Sequence, residues 1–315
     1  MEVVPFTKLL SPEEHACETH FTTHTQRNSE GRYVVRLPFI EKKGSLGDSR
    51  PIALRRFNTL ENRFDKNPKL KENYCTFLNE YNDLNYMSLI KNQNLAMPGF
   101  YLPHHAVIKE DSTTTKIRVV FDGSVKTSLG VLFNDSLMVG PTIQADIFIL
   151  LTRFRYHAYA LTADIEKMYR QVLVHPDDAV CQKILFREDP NDILKECSLD
   201  TVTKGTSCAP FLAIRALSQL SEDKGVKHPI AANVLKKDFY VDDLLTGAKT
   251  HAEAKFLRDD ITAFLQKGGF PLRKWASNDP SLVPENSDNF TSTHMSLDPN
   301  ANIKTLEIHW NSFRD

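Results

Sequence analysis

Apolar and polar positions alternate between two periods along the chain. Leu70, Tyr74, Phe77, Leu78 and Tyr81 recur at i, i+4, i+7, i+8 and i+11, which is one face of a helix, and residues 53 to about 91 read as helical. Leu257, Ile261, Phe264 and Leu265 form another stripe. Thr250 and Glu253 stand ahead of it as a T-x-x-E capping box, and Gly268 stands where a helix-ending glycine belongs. Pro210 opens a third helix, FLAIRALSQL, and residues 141–154 read as a fourth after Gly140-Pro141. Between these lie β-rich runs. They are YVVRLPFI (33–40), a hairpin within 101–123 whose strands AVI and IRVVFD flank DSTTT, and HAYALTAD (157–164), which ends in Asp164. Residues 170–187 are β-rich. Residues 234–247 read as strand, Asp242-Asp243 turn and strand, and FPLRKWA is a last strand. Residues 41–51, marked by Gly and Pro, read as a polar loop. The chain has no internal repeat.

Composition narrows the class. At 315 residues, 41% hydrophobic and 25% charged, the chain is an ordinary globular protein, near the size at which one core divides. Cys17, Cys75, Cys181, Cys197 and Cys208 are odd in number and have no CxxC spacing. They read as reduced thiols inside the cell, not as a disulfide or zinc framework. The acidic N-terminus has no long apolar core, so no signal peptide is expected. No run of about 18 apolar residues predicts a membrane span.

The net charge is only -1, which argues against a uniformly basic surface but not against a basic groove. Segment 41–75 holds nine Lys/Arg against five acids, a net of +4, whereas residues 279–315 hold six acids against two bases. The basic segment fits a solvated helical face, and it also fits a phosphate-contact surface.

Two strands run out into acids: Asp164 after LTA, and Asp242-Asp243 after FYV. Mg²⁺ takes hard carboxylate oxygens together with substrate phosphates, and strand ends fix such groups while leaving one side open. An Asp pair taken alone is more often turn chemistry. Apolar residues on both sides and the repulsion between adjacent carboxylates make this pair less ordinary.

Tyr240-Val-Asp-Asp243 resembles the Tyr-x-Asp-Asp box of reverse transcriptases. Other motifs follow the family's order. Leu161-Thr-Ala-Asp164-Ile-Glu-Lys-Met-Tyr169 is similar to the first catalytic motif, and Gly205-Thr-Ser-Cys-Ala-Pro210 to the template-side motif. Ile108-Lys109 through Lys116-Ile-Arg118 to Asp122 resembles the fingers hairpin, and Gly269-Phe-Pro-Leu-Arg-Lys274-Trp275 the next palm motif. Glu14-His-Ala-Cys17, Gly31-Arg-Tyr-Val-Val-Arg-Leu-Pro38 and Leu272-Arg-Lys-Trp275 look like the BEL/Pao group of long-terminal-repeat retrotransposons. Three positions depart from the pattern. Lys204 replaces the usual aromatic or Gln, Ala209 replaces Ser, and Glu307 stands where the lineage tends to have Gly.

The resemblance implies an α+β fold of the right-hand polymerase type. It implies an N-terminal extension (1–58), fingers (59–139, with the hairpin 105–122, and 172–208), a palm with an antiparallel sheet (140–171 and 209–284) and the truncated start of a thumb or connection (285–315). It implies an RNA-directed DNA polymerase with two Mg²⁺ ions, Mn²⁺ being the substitute, held by Asp164, Asp242, Asp243 and the backbone carbonyl of Ile165. Lys109 and Arg118 would clamp the triphosphate. Tyr169 would crowd a ribose 2′-hydroxyl, and Lys204 and Gly205 would line the nucleotide site. Tyr240, Pro210 and Lys274 would meet primer and template. The implied partners are an RNA or DNA template with its primer, dNTPs, and the protease, RNase H and integrase of a retroelement polyprotein, with no membrane partner. The implied location is the cytoplasm, a retroelement particle or the nucleus.

On the residues alone, Tyr169 also fits a core aromatic, and Lys109 and Arg118 fit solvated strand positions. Glu166 is left out of the metal set. His104-His105 read as ordinary strand histidines, and Cys208 as a packing residue. Two other functions compete. One is an inactive retroelement remnant that at most binds nucleic acid. The other is an unrelated α/β phosphotransferase, which would need a Gly-rich phosphate loop that the 12 glycines do not supply.

Overall fold

The computed structural model describes residues 9–40, 46–90, 99–108 and 117–284, with the backbone of 303–305 and 308–310. In chain order the elements are α1 (Pro12–His24), β1 (Gln26–Arg27), β2 (Tyr33–Val35), α2 (Arg50–Lys66), α3 (Pro68–Asp83), β3 (Met87–Leu89), β4 (His104–Ile108) and β5 (Ile117–Phe121). They continue with α4 (Ile147–Phe154), β6 (Tyr159–Ile165), α5 (Met168–Gln171), β7 (Leu173–Val174), α6 (Pro176–Ala179), β8 (Lys183–Phe186), β9 (Lys195–Leu199) and α7 (Ala209–Lys224). The last are α8 (Pro229–Lys237), β10 (Phe239–Tyr240), β11 (Asp243–Ala248), α9 (His251–Gln266), β12 (Leu272–Ser277), β13 (Ile303–Thr305) and β14 (Ile308–Trp310). The architecture is α+β with small, mainly antiparallel sheets.

The central sheet has the order β10-β11-β6-β12, and every neighbouring pair is antiparallel. Directly opposed residues on antiparallel strands share a face, so the register separates its two sides. Leu161, Ala163, Ile165 and Leu244 enter the main core, where α9 contributes Leu257, Ile261, Phe264 and Leu265. On the other side Leu150 and Phe154 of α4 cover Ala160 and Leu245.

The α9 capping box forms as the spacing predicts: the Thr250 side chain accepts from the Glu253 amide, and Glu253 reaches back to the Thr250 amide. A second box, Ser11 with Glu14, starts α1. The stripe Leu70 to Tyr81 is the buried face of α3, and the hairpin appears as β4 and β5 with His104 opposite Phe121. The DSTTT turn lies outside the described residues.

Several expected bounds change for local reasons. The helical stretch from 53 is two helices, because Pro68 cannot continue α2; Asn67 caps α3 by accepting from the Leu70 amide at 3.0 Å. Helix α2 already begins at Arg50, inside the expected loop. Residues 87–89 are strand, not helix. Helix α4 starts only at Ile147, where Asp146 caps the Phe148 amide at 2.7 Å. The β-rich run 170–187 is interrupted by α6.

The largest correction concerns 234–247. VLKK is the end of α8, which buries Ala231, Ala232, Val234 and Leu235 at helical spacing. Only Phe239–Tyr240 form the first strand. Tyr240 pairs with Asp243, so the turn centres on Val241-Asp242, not on Asp242-Asp243.

Candidate active site

The strand ends bring the acids together. Asp243 is the direct partner of Asp164 across β11 and β6, so both side chains project from the face that α4 covers further along. Asp242 is tied to the same place: its carbonyl accepts from the Ile165 amide at 2.8 Å. Asp164 is half-buried, and its carboxyl is raised above the ordinary range, first by burial and then by the charges of Asp242 and Glu166. Lys274 opposes that shift, with its Nζ 3.3 Å from Asp164 Oδ2. Glu166 is turned to β12, where Arg273 Nε donates to it at 2.8 Å.

The backbone is held in unfavourable conformations around these carboxylates. Among the described residues four non-glycine positions have positive φ, and three of them flank the site: Lys167 (50°), Val241 (53°) and Lys274 (53°). A β-branched residue with φ above zero is a clear departure from side-chain sterics, and such departures gather at functional sites. Val241 occupies the first central position of the hairpin turn, and its amide donates to Gln144 Oε1 at 2.8 Å. Lys274 sits where the β12–β6 register shifts, just past the Arg273–Asp164 pair.

Tyr169 lies beside the acids. Its phenol is raised by burial and by the nearby Asp242 charge, and Lys204 Nζ stands 5.8 Å from the ring centroid. Lys204, Gly205 and Pro210 are all exposed. Gly205 has φ +115°, and a Cβ there would come within 2.4 Å of the Phe121 carbonyl, so the loop needs glycine to lie against the end of β5. Asn134 fixes this loop: its Nδ2 donates to the Gly205 carbonyl at 3.1 Å, and its Oδ1 accepts from the Ser207 amide at 3.0 Å.

The structure therefore gathers Asp164, Asp242, Asp243, Tyr169, Lys204 and Lys274. Ile165 is buried, with its backbone at the site. Tyr240 packs against the Leu150 cluster beside Asp243, and Pro210 lies in the first turn of α7. Arg118 is exposed on β5; Lys109 lies outside the described residues, as does the acidic stretch from 285 to 300. Gln144 and Asn134 are absent from the sequence-based candidates. Their signal is weak, since a polar residue in an irregular loop does not reveal a distant backbone partner.

The donor chemistry suits a hard cation. Among the described residues no three His, Cys, Asp or Glu side chains are grouped so as to hold a metal ion by themselves. Mg²⁺ does not require such a cage, because one or two carboxylates complete its shell with water and substrate phosphates. Two mutually repelling, partly desolvated carboxylates with a lysine ammonium beside them match that kind of site.

Cys208 and His104 are both buried. Burial pushes the Cys208 thiol up to about 12, which suits packing and not nucleophilic attack. His104 is buried, with Nδ1 against the Tyr74 hydroxyl and Nε2 2.9 Å from the Leu185 carbonyl.

No family model matches the chain, and no curated protein matches it. Among solved structures it is similar to the prototype foamy virus protease–reverse transcriptase (CSH mutant), with a TM-score of 0.49 and 16% identity over 65% of this chain. The match spans 24% of that protein.

Proposed function

We propose that this chain is a reverse-transcriptase module of a retroelement polyprotein, which adds dNTPs to a primer on an RNA or DNA template. The observation that carries the reading is the Asp164–Asp243 register pair, with Asp242 held at the strained tip of the same hairpin. In this reading β6, β10, β11 and β12 form the palm of a right-hand polymerase, and β4 and β5 belong to the fingers. The motif wording favours the BEL/Pao lineage.

Asp164, Asp242, Asp243 and the Ile165 carbonyl would hold two Mg²⁺ or Mn²⁺ ions. Such ions activate the attacking 3′-hydroxyl and stabilise the leaving pyrophosphate. Lys109 and Arg118 hold the triphosphate by charge-assisted contacts, which are strongest where negative charge develops. Lys204 and Gly205 line the nucleotide pocket, where Tyr169 presents its ring to the sugar 2′ position. Lys274 balances the Asp164 charge, and Tyr240 and Pro210 support primer and template.

Primer extension on an RNA template tests this reading. Mg²⁺-dependent addition of only the dNTP complementary to each templating base is expected. Salt-sensitive binding without incorporation would instead mark an inactive, nucleic-acid-binding remnant.

A further inference from the structure

The side chains on both flanks of Tyr169 reach one helix, α3. Lys167 has φ +50° and precedes the single turn α5, whose N-terminus has no side-chain cap. The turn itself closes on this left-handed lysine: the Arg170 amide donates to the Lys167 carbonyl at 2.8 Å, and Gln171 Nε2 donates to the Glu166 carbonyl at 2.8 Å. A second, side-chain restraint comes from α3, where Glu80 forms an ion pair with Lys167. On the far side of Tyr169, the Arg170 guanidinium stacks 4.3 Å from the Tyr81 ring centroid and 5.2 Å from that of Phe77, both on α3. Met168, between them, is buried in the core. Glu80 and Tyr81 are thus neighbours on α3 that grip the residues flanking Tyr169.

We propose that Glu80 is a positioning residue for sugar selection: its ion pair with Lys167 adds to the turn's own hydrogen bonds in steadying the backbone that aims the Tyr169 ring at the 2′ position of the incoming nucleotide. The inference rests on the reading of Tyr169 as a gate. Glu80 is itself remote from the carboxylates in sequence and acts only through Lys167. Holding the ring still matters because a small displacement is costly in such a site: a 1 Å misplacement changes rates by about a hundredfold.

The test uses the full chain, a primer on an RNA template, and dNTP or rNTP as substrate, with equilibrium binding of each nucleotide measured alongside. Glu80→Gln is expected to lower discrimination against rNTP on the order of tenfold, part of that positional penalty. The change is carried by KM for rNTP, and the melting temperature holds. Glu80→Asp should retain discrimination, and the exchanged pair Glu80→Lys with Lys167→Glu should restore it. If Tyr169→Ala loses discrimination while Glu80→Gln keeps it in full, the inference is overturned and the gate stands. If Tyr169→Ala also keeps it, the gate reading falls and the inference with it. A chain that neither incorporates nor binds either nucleotide overturns both.

Discussion

Asp243 faces Asp164 across the β11–β6 pair, and the Asp242 carbonyl accepts the amide of the next residue, Ile165. Like charges are therefore locked together by backbone hydrogen bonds, at a cost to the folded chain. Asp242→Asn should raise the melting temperature in metal-free buffer by about 1–3 °C, since removing repulsion at a functional site commonly stabilises. The same variant should lose the stabilisation that Mg²⁺ gives the parent. Differential scanning fluorimetry with and without Mg²⁺ reads both effects; a lower melting temperature for the variant would count against electrostatic strain.

Gln144 is the partner of the strained turn. Removing its amide leaves the Val241 N–H unmatched, which costs about 1–2 kcal/mol for a part-buried donor. Gln144→Ala should lower the urea midpoint accordingly and reduce nucleotide incorporation more than its stability loss alone explains. An incorporation rate equal to the parent's would show that the turn needs no such support.

Gly205 and Gly130 separate close approach from backbone conformation. Both have positive φ, but a Cβ at Gly205 meets the Phe121 carbonyl, whereas one at Gly130 meets nothing within 4 Å. Gly130→Ala should cost about 1 kcal/mol, the price of a left-handed alanine. Gly205→Ala should cost roughly 2–4 kcal/mol, because the loop must also shift away from β5. Chemical denaturation of the two variants checks the order.

His104 sets an acid limit on the fold. Burial lowers its pKa to about 4, below the ordinary histidine value of about 6.5. As pH falls, the unfolded chain takes up the proton first, so stability is intact above about 6.5 and is lost toward about 4, by on the order of 3 kcal/mol. Urea midpoints at pH 7 and pH 5 should differ, and His104→Gln should reduce the difference. Parallel slopes for parent and variant would assign the acid sensitivity to other groups.

Much of this arrangement is legible in the sequence where local chemistry decides. Thr250 and Glu253 announce α9 because both halves of the capping box lie within one turn, and Asp164 is visible as the end of an alternating strand. The hairpin tip is not. Placing the turn on Asp242-Asp243 follows the turn preference of Asp, yet the pairing of Tyr240 with Asp243 moves it to Val241-Asp242. Tertiary contacts hold a valine where local preference would put Gly or Asn. VLKK reads equally as strand or helix over four residues, and only the burial of Ala231 and Leu235 decides. Glu80, Asn134 and Gln144 were not legible, because each acts on a residue far away in sequence.

Single-turnover incorporation of one complementary dNTP, compared between the parent chain, Asp164→Asn and Asp242→Asn on the same RNA-templated primer, tests the central claim most directly. The account expects Mg²⁺-dependent incorporation by the parent and a loss on the order of 10³-fold or more in each variant, with primer–template binding retained. Equal rates in parent and variants would contradict the assignment of these aspartates to the chemistry.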